Sequence, residues 1–308
     1  MSTDCAQALT RGSPVGPLGF LANFNPAVSV YTCIRPPSDG SPALIGQMQY
    51  ADGSRSAHIV FLLPDESLNQ PGIAELLDQM ASKAGSWGAF HLLAEVEENS
   101  CALEGLRQSG FSVYAWQRLW KYTPQEARPV DGKAAGNHAP TADGRGLLWR
   151  QASSTDEVSI RNLYQLLVPP LVQSAEPLTL QRPLGWILRQ EGEIVAYVEG
   201  TYGPQGIYLQ PLIHPAVENI GQVMADLIAS QRNPTGRPIY IAIRSYQAWL
   251  ETVVRDLDCE VAPRQALMVK HLIVPERAPL LMNTHSVLEK IAGETSVPLV
   301  HNSTTTNK

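Results

Sequence analysis

The chain has 308 residues, of which 44% are hydrophobic and 17% charged, and its formal net charge at pH 7 is −6. This length and composition predict a compact protein of two domains and exclude a disordered chain. The acidic net charge argues against nucleic acid as a partner. The sequence has no run of about 18 apolar residues, so we expect no membrane span. The four cysteines form no C-x-x-C pair, and the N-terminus has no signal-peptide core. We therefore expect free thiols and a cytoplasmic protein.

The first half of the chain predicts a β-rich unit with two helices. Residues 1–26 are rich in Gly, Pro, Ser and Asn, and we interpret them as mostly irregular. Pro64 ends the third predicted strand, because proline has no N–H to donate to a ladder. Asn99 is a candidate helix N-cap, and Gly110 is a candidate residue just beyond that helix. In chain order, the first half predicts three strands, a helix, a strand, a helix and a long strand, over residues 28–35, 43–50, 56–64, 73–84, 90–96, 99–110 and 111–122.

Residues 123–146 predict a linker, since the segment is polar, contains three prolines and four glycines and lacks an apolar period. We therefore place an N-terminal domain at 1–122, whose first strand–helix part is reduced, and a C-terminal domain at 147–274. The tail, 275–308, is expected to be partly disordered. In chain order, the C-terminal domain predicts a strand, a helix, three strands, a helix, a strand, a helix and a last strand, over residues 147–151, 154–167, 185–189, 193–202, 206–214, 217–228, 237–243, 249–257 and 260–272. The predicted helix at 154–167 opens with the spacing of a capping box, Ser154 to Glu157.

The two halves repeat each other over a long period. Pro215 follows Pro64 by 151 residues, and Cys259 follows Phe111 by 148 residues, so the offset is nearly constant. A repeat of that period indicates two copies of one domain. In each copy a strand, a helix and a strand with short connections predict two parallel strands. The helix N-terminus then lies beside a strand end, where backbone N–H groups can hold a phosphate.

The order of predicted elements resembles the fold of the GNAT N-acetyltransferases. Residues 99–111, NSCALEGLRQSGF, resemble the family segment N-x-x-A-x-x-(L/I)-Y-x-x-x-G-F, with Asn99 in place and Leu106 where the family has its tyrosine. In the second copy the corresponding segment, QAWLETVVRDLDC, has Gln247 in the Asn position and Val254 in the Tyr position. The resemblance implies an α/β (α+β) fold of two tandem GNAT-like domains. Each domain would have a mixed, mostly antiparallel twisted sheet flanked by helices.

The resemblance also implies an acyl-CoA site, and its motifs are degenerate in both copies. In the family the cofactor lies where two parallel strands splay, and the Asn contacts its pantetheine arm. The resemblance therefore implies that Asn99 contacts pantetheine; the alternative is that Asn99 only caps the helix. The family's phosphate loop, Arg/Gln-x-x-Gly-x-Gly/Ala, keeps only Gly72 in the first copy and only Gly221 in the second. Asp65 and Glu218 add negative charge where a pyrophosphate would lie. Asn99, Gly72 and Gly221 are the candidate cofactor contacts.

Three residues of the second copy are candidates for catalysis. Glu199 and Tyr202 lie on the strand that in this fold borders the acceptor site, and a carboxylate there can deprotonate an amine directly or through water. His214 precedes the proline that ends a strand and is a candidate general base. The alternatives are a surface carboxylate for Glu199 and a packed or solvent-facing imidazole for His214. The sequence has no H-x-x-x-H, G-x-S-x-G or G-x-x-x-x-G-K motif, so we expect no metal centre.

Two functional hypotheses follow from these observations. In the first, the chain is an N-acyltransferase that passes an acyl group from acetyl-CoA, or another acyl-CoA, to an amine of a small molecule or peptide by direct attack. A strand N–H would polarise the thioester carbonyl. In the second, the fold survives as a catalytically silent ligand-binding or protein-interaction module. Transfer from aminoacyl-tRNA is disfavoured by the acidic balance, and the oligomeric state stays open.

Overall fold

The architecture comes from a computed structural model, which describes residues 2–12, 27–37, 42–70, 72–124, 149–180 and 185–272. Within these residues the α-helices are α1 (Cys5–Arg11), α2 (Gly72–Trp87), α3 (Cys101–Gln108), α4 (Glu157–Leu167), α5 (Pro170–Ala175), α6 (Ile220–Ser230) and α7 (Leu250–Asp256). The strands are β1 (Val28–Arg35), β2 (Leu44–Ala51), β3 (Ser56–Leu63), β4 (His91–Glu97), β5 (Ser112–Tyr122), β6 (Trp149–Gln151), β7 (Trp186–Gln190), β8 (Glu193–Tyr202), β9 (Ile207–Ile213), β10 (Ile239–Arg244), β11 (Glu260–Val261) and β12 (Gln265–His271). No helix in the described ranges is long and apolar enough to cross a membrane. Nearly all of the predicted linker and the whole predicted tail lie outside these ranges.

The described strands form one twelve-stranded mixed sheet. Its order is β1-β2-β3-β4-β12-β5-β10-β9-β8-β7-β6, and β11 pairs with β5 off this path. Every pairing is antiparallel except β3 with β4 and β9 with β10, which are parallel. The two parallel pairs are the two strand–helix–strand units that the sequence predicts. The fold class, a mixed and mostly antiparallel sheet flanked by helices, is therefore confirmed.

The last strand of each half lies between strands that belong to the other half. β5, from the first half, pairs with β12 on one side and β10 on the other. β12, from the second half, pairs with β4 and with β5. The halves thus exchange their final strands across the middle of the sheet. The boundary at residues 123–146 stays a prediction, but the strand pairing joins the two halves into one hydrogen-bonded body.

The hydrophobic cores follow the same exchange. One buried cluster consists of first-half side chains and includes Ala266 and Met268 of β12. A second cluster consists of second-half side chains and includes Trp120 of β5. Met268 has no exposed surface and Trp120 is 2% exposed, so each exchanged strand fills a core built by the other half. Removing either strand would leave a cavity in the partner core, which is destabilising.

Turn-forming residues end several elements where the sequence predicts. β3 ends at Leu63, directly before Pro64. Gly110 follows α3 with a φ of 85°, a conformation that a side chain disfavours. The β7–β8 hairpin turns through Glu191 and Gly192, both with positive φ, as a tight two-residue turn requires. Local chemistry therefore predicts these boundaries well.

The start of α3 and the N-terminal segment differ from the predictions. The Ser100 hydroxyl accepts a hydrogen bond from the Ala102 N–H at 3.2 Å, so Ser100, and not Asn99, caps α3. The segment predicted as irregular contains α1, which Asp4 caps by accepting from the Gln7 N–H at 3.0 Å. A side-chain oxygen next to a short apolar run is sufficient to start each of these helices.

The capping box of the second half begins one residue earlier than predicted. Ser153, and not Ser154, is the N-cap of the 3-10 turn Ser154–Asp156 that leads into α4, and its N–H donates to the Asp156 carboxylate at 2.9 Å. The carboxylate that closes the box therefore belongs to Asp156, and not to Glu157. Arg150 explains the shift, because its guanidinium donates to both oxygens of Asp156 at 2.8 and 3.0 Å and fixes that side chain towards Ser153.

Candidate functional site

Each parallel strand pair opens into a gap. β3 and β4 pair only from Ser56 to His58, and then diverge. β9 and β10 pair only from Ile207 to Leu209, and then diverge. We call the spaces beyond these rungs the first gap, between β3 and β4, and the second gap, between β9 and β10. They are the places where the GNAT resemblance predicts the acyl-CoA arm.

The first gap is filled by the N-terminal segment of the chain. The Thr3 N–H donates to the Val60 carbonyl at 2.9 Å, and the Thr3 carbonyl accepts from the Glu95 N–H at 3.1 Å. The Thr3 hydroxyl donates to the Ile59 carbonyl at 2.7 Å. Ser2 forms an isolated antiparallel bridge with Phe61 of β3. Thr3 is only 2% exposed, so a short strand-like segment of the chain itself binds backbone groups on both walls of the gap.

The second gap is bridged by a side chain. The Gln247 amide donates to the Ile213 carbonyl at 2.9 Å, and its oxygen faces the Ile213 N–H at 3.4 Å. Gln247 is 3% exposed. Pro211 stands two residues beyond the last paired rung, the position that Val60 occupies at the first gap. A proline at that position has no N–H to offer to a carbonyl in the gap.

A cavity of about 720 Å³ lies beside both gaps. Its walls come from α4 and α5, from β1 to β4 and the β2–β3 turn of the first half, from β8 to β10 of the second half and from the N-terminal segment. Five carboxylates line it: Asp4, Asp52, Glu95, Glu176 and Glu199. The volume and the few convergent polar groups are typical of a small-molecule site.

A buried guanidinium stands at the centre of this cavity wall. Arg244 is 4% exposed, and its Nη2 lies 3.1 Å from Glu176 Oε2 and 3.4 Å from Gln210 Oε1. Its Nε and Nη1 are buried without a hydrogen-bond partner among the described residues. The Tyr114 hydroxyl also donates to Glu176. The charge of Glu176 is therefore balanced by a guanidinium in contact with it.

Two other carboxylates of the cavity are not matched by a cation in contact. Desolvation raises the pKa of Glu199 above its usual value, and the charge of Glu176 raises it further. Desolvation also raises the pKa of Glu95, although the charge of Arg244 opposes this shift. Glu199 remains open to the water of the cavity, because more than a third of its surface is accessible. A cation that entered the cavity would favour the charged form of both groups.

The structure separates the three predicted catalytic residues. Glu199 lines the cavity, whereas Tyr202 lies three residues along the same regular strand and so points to the opposite face. The Tyr202 hydroxyl donates to the Gln231 side chain at 2.8 Å. His214 lies in the turn after β9, where its Nδ1 accepts from the Ala216 N–H at 3.2 Å. Only Glu199 has access to the cavity in this arrangement.

The three predicted cofactor contacts lie at the starts of three different helices. Gly72 opens α2 and packs against the Arg35 guanidinium, where a Cβ would collide. Gly221 lies in the first turn of α6 with open space around it. Asn99 precedes the cap of α3. Their cofactor roles stay predictions.

Sequence reasoning missed Arg244, Glu176 and Glu95. Glu95 lies inside the apolar strand HLLAEVE, ahead of the exposed Glu97 that ends it, and Arg244 ends the otherwise apolar strand IYIAIR. A charge in a buried strand is rare unless it is paired or functional, and that signal could have identified both. Glu176 follows α5 in a segment with no such contrast, so its part in the cavity depends on the tertiary fold.

The fold and the cavity define a mixed α/β protein with a pocket lined by both polar and apolar side chains. No protein-family model matches the chain, and no curated protein matches it. Among solved structures, a GCN5-related N-acetyltransferase from Sphaerobacter thermophilus is similar at 14% identity, over 75% of this chain and 78% of that chain, with a TM-score of 0.45. A tandem GNAT protein from the clavulanic acid biosynthesis pathway is similar at 14% identity, over 86% and 93% of the two chains, with a TM-score of 0.47. A GCN5-related N-acetyltransferase from Kribbella flavida shows 15% identity over 74% and 86%, with a TM-score of 0.45.

Proposed function

We propose that the chain is a ligand-binding protein that uses a GNAT-like fold without acyl transfer, and that its ligand site is the central cavity. The observation that carries this proposal is the position of Thr3 in the first gap. Its N–H and carbonyl bind Val60 of β3 and Glu95 of β4, so Thr3 occupies the space between diverging strands in which the GNAT resemblance implies the cofactor. An acyl-CoA would have to displace this segment and the hydrogen bonds it makes.

The second gap supports the same proposal. Gln247 already binds the N–H and carbonyl of Ile213. Two residues before Ile213 on the same strand, Pro211 has no N–H that could polarise a thioester carbonyl. In both gaps, therefore, the backbone groups that could bind an acyl-CoA are already hydrogen-bonded within the chain or, at Pro211, lack an N–H.

The charges of the cavity favour a ligand that carries an amine. Glu199 and Glu95 lack a cation in contact and lie in surroundings that penalise an uncompensated negative charge. An ammonium group near Glu199 would gain a charge-assisted hydrogen bond there. Primary amines of small molecules or of a peptide N-terminus have this chemistry.

Calorimetry and thermal melting test the proposal. Acetyl-CoA titrated to about 1 mM should give no saturable heat, which bounds its binding free energy at about −4 kcal/mol. As a probe, 1,4-diaminobutane should raise the melting temperature of the wild-type chain, whereas succinate, of similar length and opposite charge, should not. Glu199→Gln should abolish the shift. Glu193→Gln, an exposed carboxylate on the same strand, is the matched control and should retain it.

Two outcomes would reject the proposal. Micromolar binding of acetyl-CoA would show that a gap opens for the cofactor. Equal stabilisation by the diamine in the wild type and in Glu199→Gln would show that the amine does not bind at this wall of the cavity.

A second candidate function, N-acyl transfer in the second half, is favoured by the position of Glu199. This carboxylate faces the cavity beside β9, and its raised pKa suits a general base. The amine nitrogen would attack the thioester carbonyl, the C–S bond would break, and coenzyme A would leave as its thiolate, which water would protonate. The proton lost by the amine would pass to Glu199. Thiol release from acetyl-CoA with the diamine, reduced at least about 100-fold in Glu199→Gln, would support this candidate over the silent one.

A further inference from the structure

Two histidines that are 180 residues apart in the sequence meet across the exchanged strand. His91 opens β4 and His271 closes β12, and they are directly opposite in the antiparallel register. Their Nδ1 atoms lie 3.1 Å apart, and the rings meet edge to face with centroids 4.9 Å apart. His91 is half-buried and His271 is exposed, so the pair opens to solvent on one side.

The separation of the two nitrogens fits a shared metal ion. Two metal–imidazole bonds of about 2.1 Å that meet at about 95° span the observed 3.1 Å. Imidazole suits Ni²⁺, Cu²⁺ and Zn²⁺, and in the general affinity order of divalent first-row ions the affinity rises through Ni²⁺ to Cu²⁺. Without a metal, one Nδ1 must carry the proton that the other accepts, and a metal ion would replace that proton.

We propose that His91 and His271 form a two-histidine site for a divalent late transition metal ion, with Cu²⁺ bound more tightly than Ni²⁺. The sequence contains no H-x-x-x-H spacing, and no group of three or more metal-binding side chains occurs among the residues that the structure describes. Water would therefore complete the coordination. Because the two ligands belong to different halves, a bound ion would fasten β12 to the first half.

Titration of the full chain with NiCl₂ and CuCl₂ tests the proposal. We expect one equivalent of Ni²⁺ to bind with a Kd below about 100 μM, and the melting temperature to rise as the ion concentration exceeds Kd. His271→Ala should weaken binding at least about 10-fold, since a single imidazole remains. This variant should fold normally without metal, because the His271 side chain is exposed.

The control is His214→Ala, which removes a half-buried histidine from the second half and should leave Ni²⁺ affinity unchanged. Absence of saturable Ni²⁺ binding by the wild type would overturn the proposal. Equal affinity in the wild type and in His271→Ala would also overturn it, since the ion would then be bound by other residues.

Discussion

The side-chain amide of Gln117 donates to the side-chain oxygen of Gln265 at 2.8 Å, across the strand pair at the centre of the sheet. Both residues are buried, and they face each other in the β5–β12 register. Gln265 follows Gln117 by 148 residues, the same offset that separates Phe111 from Cys259. The two glutamines are therefore equivalent positions of the two copies, and the pseudo-twofold relation between the halves passes between them.

Gln117→Leu should destabilise the chain by about 1–3 kcal/mol, because it leaves the buried Gln265 oxygen without its donor. The double variant Gln117→Leu/Gln265→Leu should cost less than the sum of the two single changes, since neither polar group is then buried alone. Urea denaturation measures all three free energies of unfolding. Gln108→Leu, on an exposed face of α3, should change stability by less than about 0.5 kcal/mol. If the loss of stability in the double variant equals the sum of the losses in the two single variants, the two glutamines do not interact as proposed.

A cut in the linker should not separate the halves. A site for a sequence-specific protease inserted after residue 136 allows the chain to be cleaved completely under native conditions. We expect the two fragments to co-elute in size exclusion, because both neighbours of β5 come from the second half and both neighbours of β12 from the first. The fragments should part only in denaturant. Separate elution of two folded fragments in native buffer would contradict the exchange and support independent domains.

Acid should remove the contribution of Asp156 to stability. Hydrogen bonds from Arg150, together with those from Arg189 and Ser153, hold the pKa of Asp156 well below its usual value of about 3.9, although burial opposes this shift. A lowered folded pKa stabilises the chain above about pH 4, and the stabilisation is lost as the pH falls towards the folded pKa. Asp156→Asn should therefore cost roughly 1–3 kcal/mol at pH 7.

The difference in free energy of unfolding between the wild type and Asp156→Asn should shrink below pH 4, by about 1.4 kcal/mol per pH unit. Urea melts at pH 7, 5 and 3 measure it, with Glu104→Gln, an exposed change on α3, as the control. A difference that stays constant down to pH 3 would mean that the carboxylate of Asp156 is not selectively stabilised in the folded state.

Local chemistry predicts most elements of this fold. The apolar spacing that includes Met224 and Leu227 gives α6 with the correct buried face, and Pro64 and Gly110 mark real ends. These signals depend on neighbours within a few residues. They fail for α1, where the expectation of an irregular segment rested on composition and neglected the cap at Asp4.

The exchange and the site depend on contacts that no local pattern encodes. Strand propensity identifies β5 and β12 but does not predict their pairing partners, because each strand could occupy the same place in the sheet of its own copy or of the other copy. The meeting of Glu176 with Arg244, 68 residues apart, follows only once the sheet is assembled. Of the predicted catalytic residues, Glu199 lines the cavity because alternation along β8 places it on that face.

The exchanged strands also set an order of events during synthesis. β5 leaves the ribosome well before β10 and β12, its partners in the sheet. At about 5–20 residues per second, the wait for β12 is on the order of 10 s. During that time β4 presents an open edge and β5 has no neighbour on either side, and such edges pair readily with other chains. The speed of translation and the supply of chaperones that shield strand edges therefore bear directly on how much of this chain reaches its folded form.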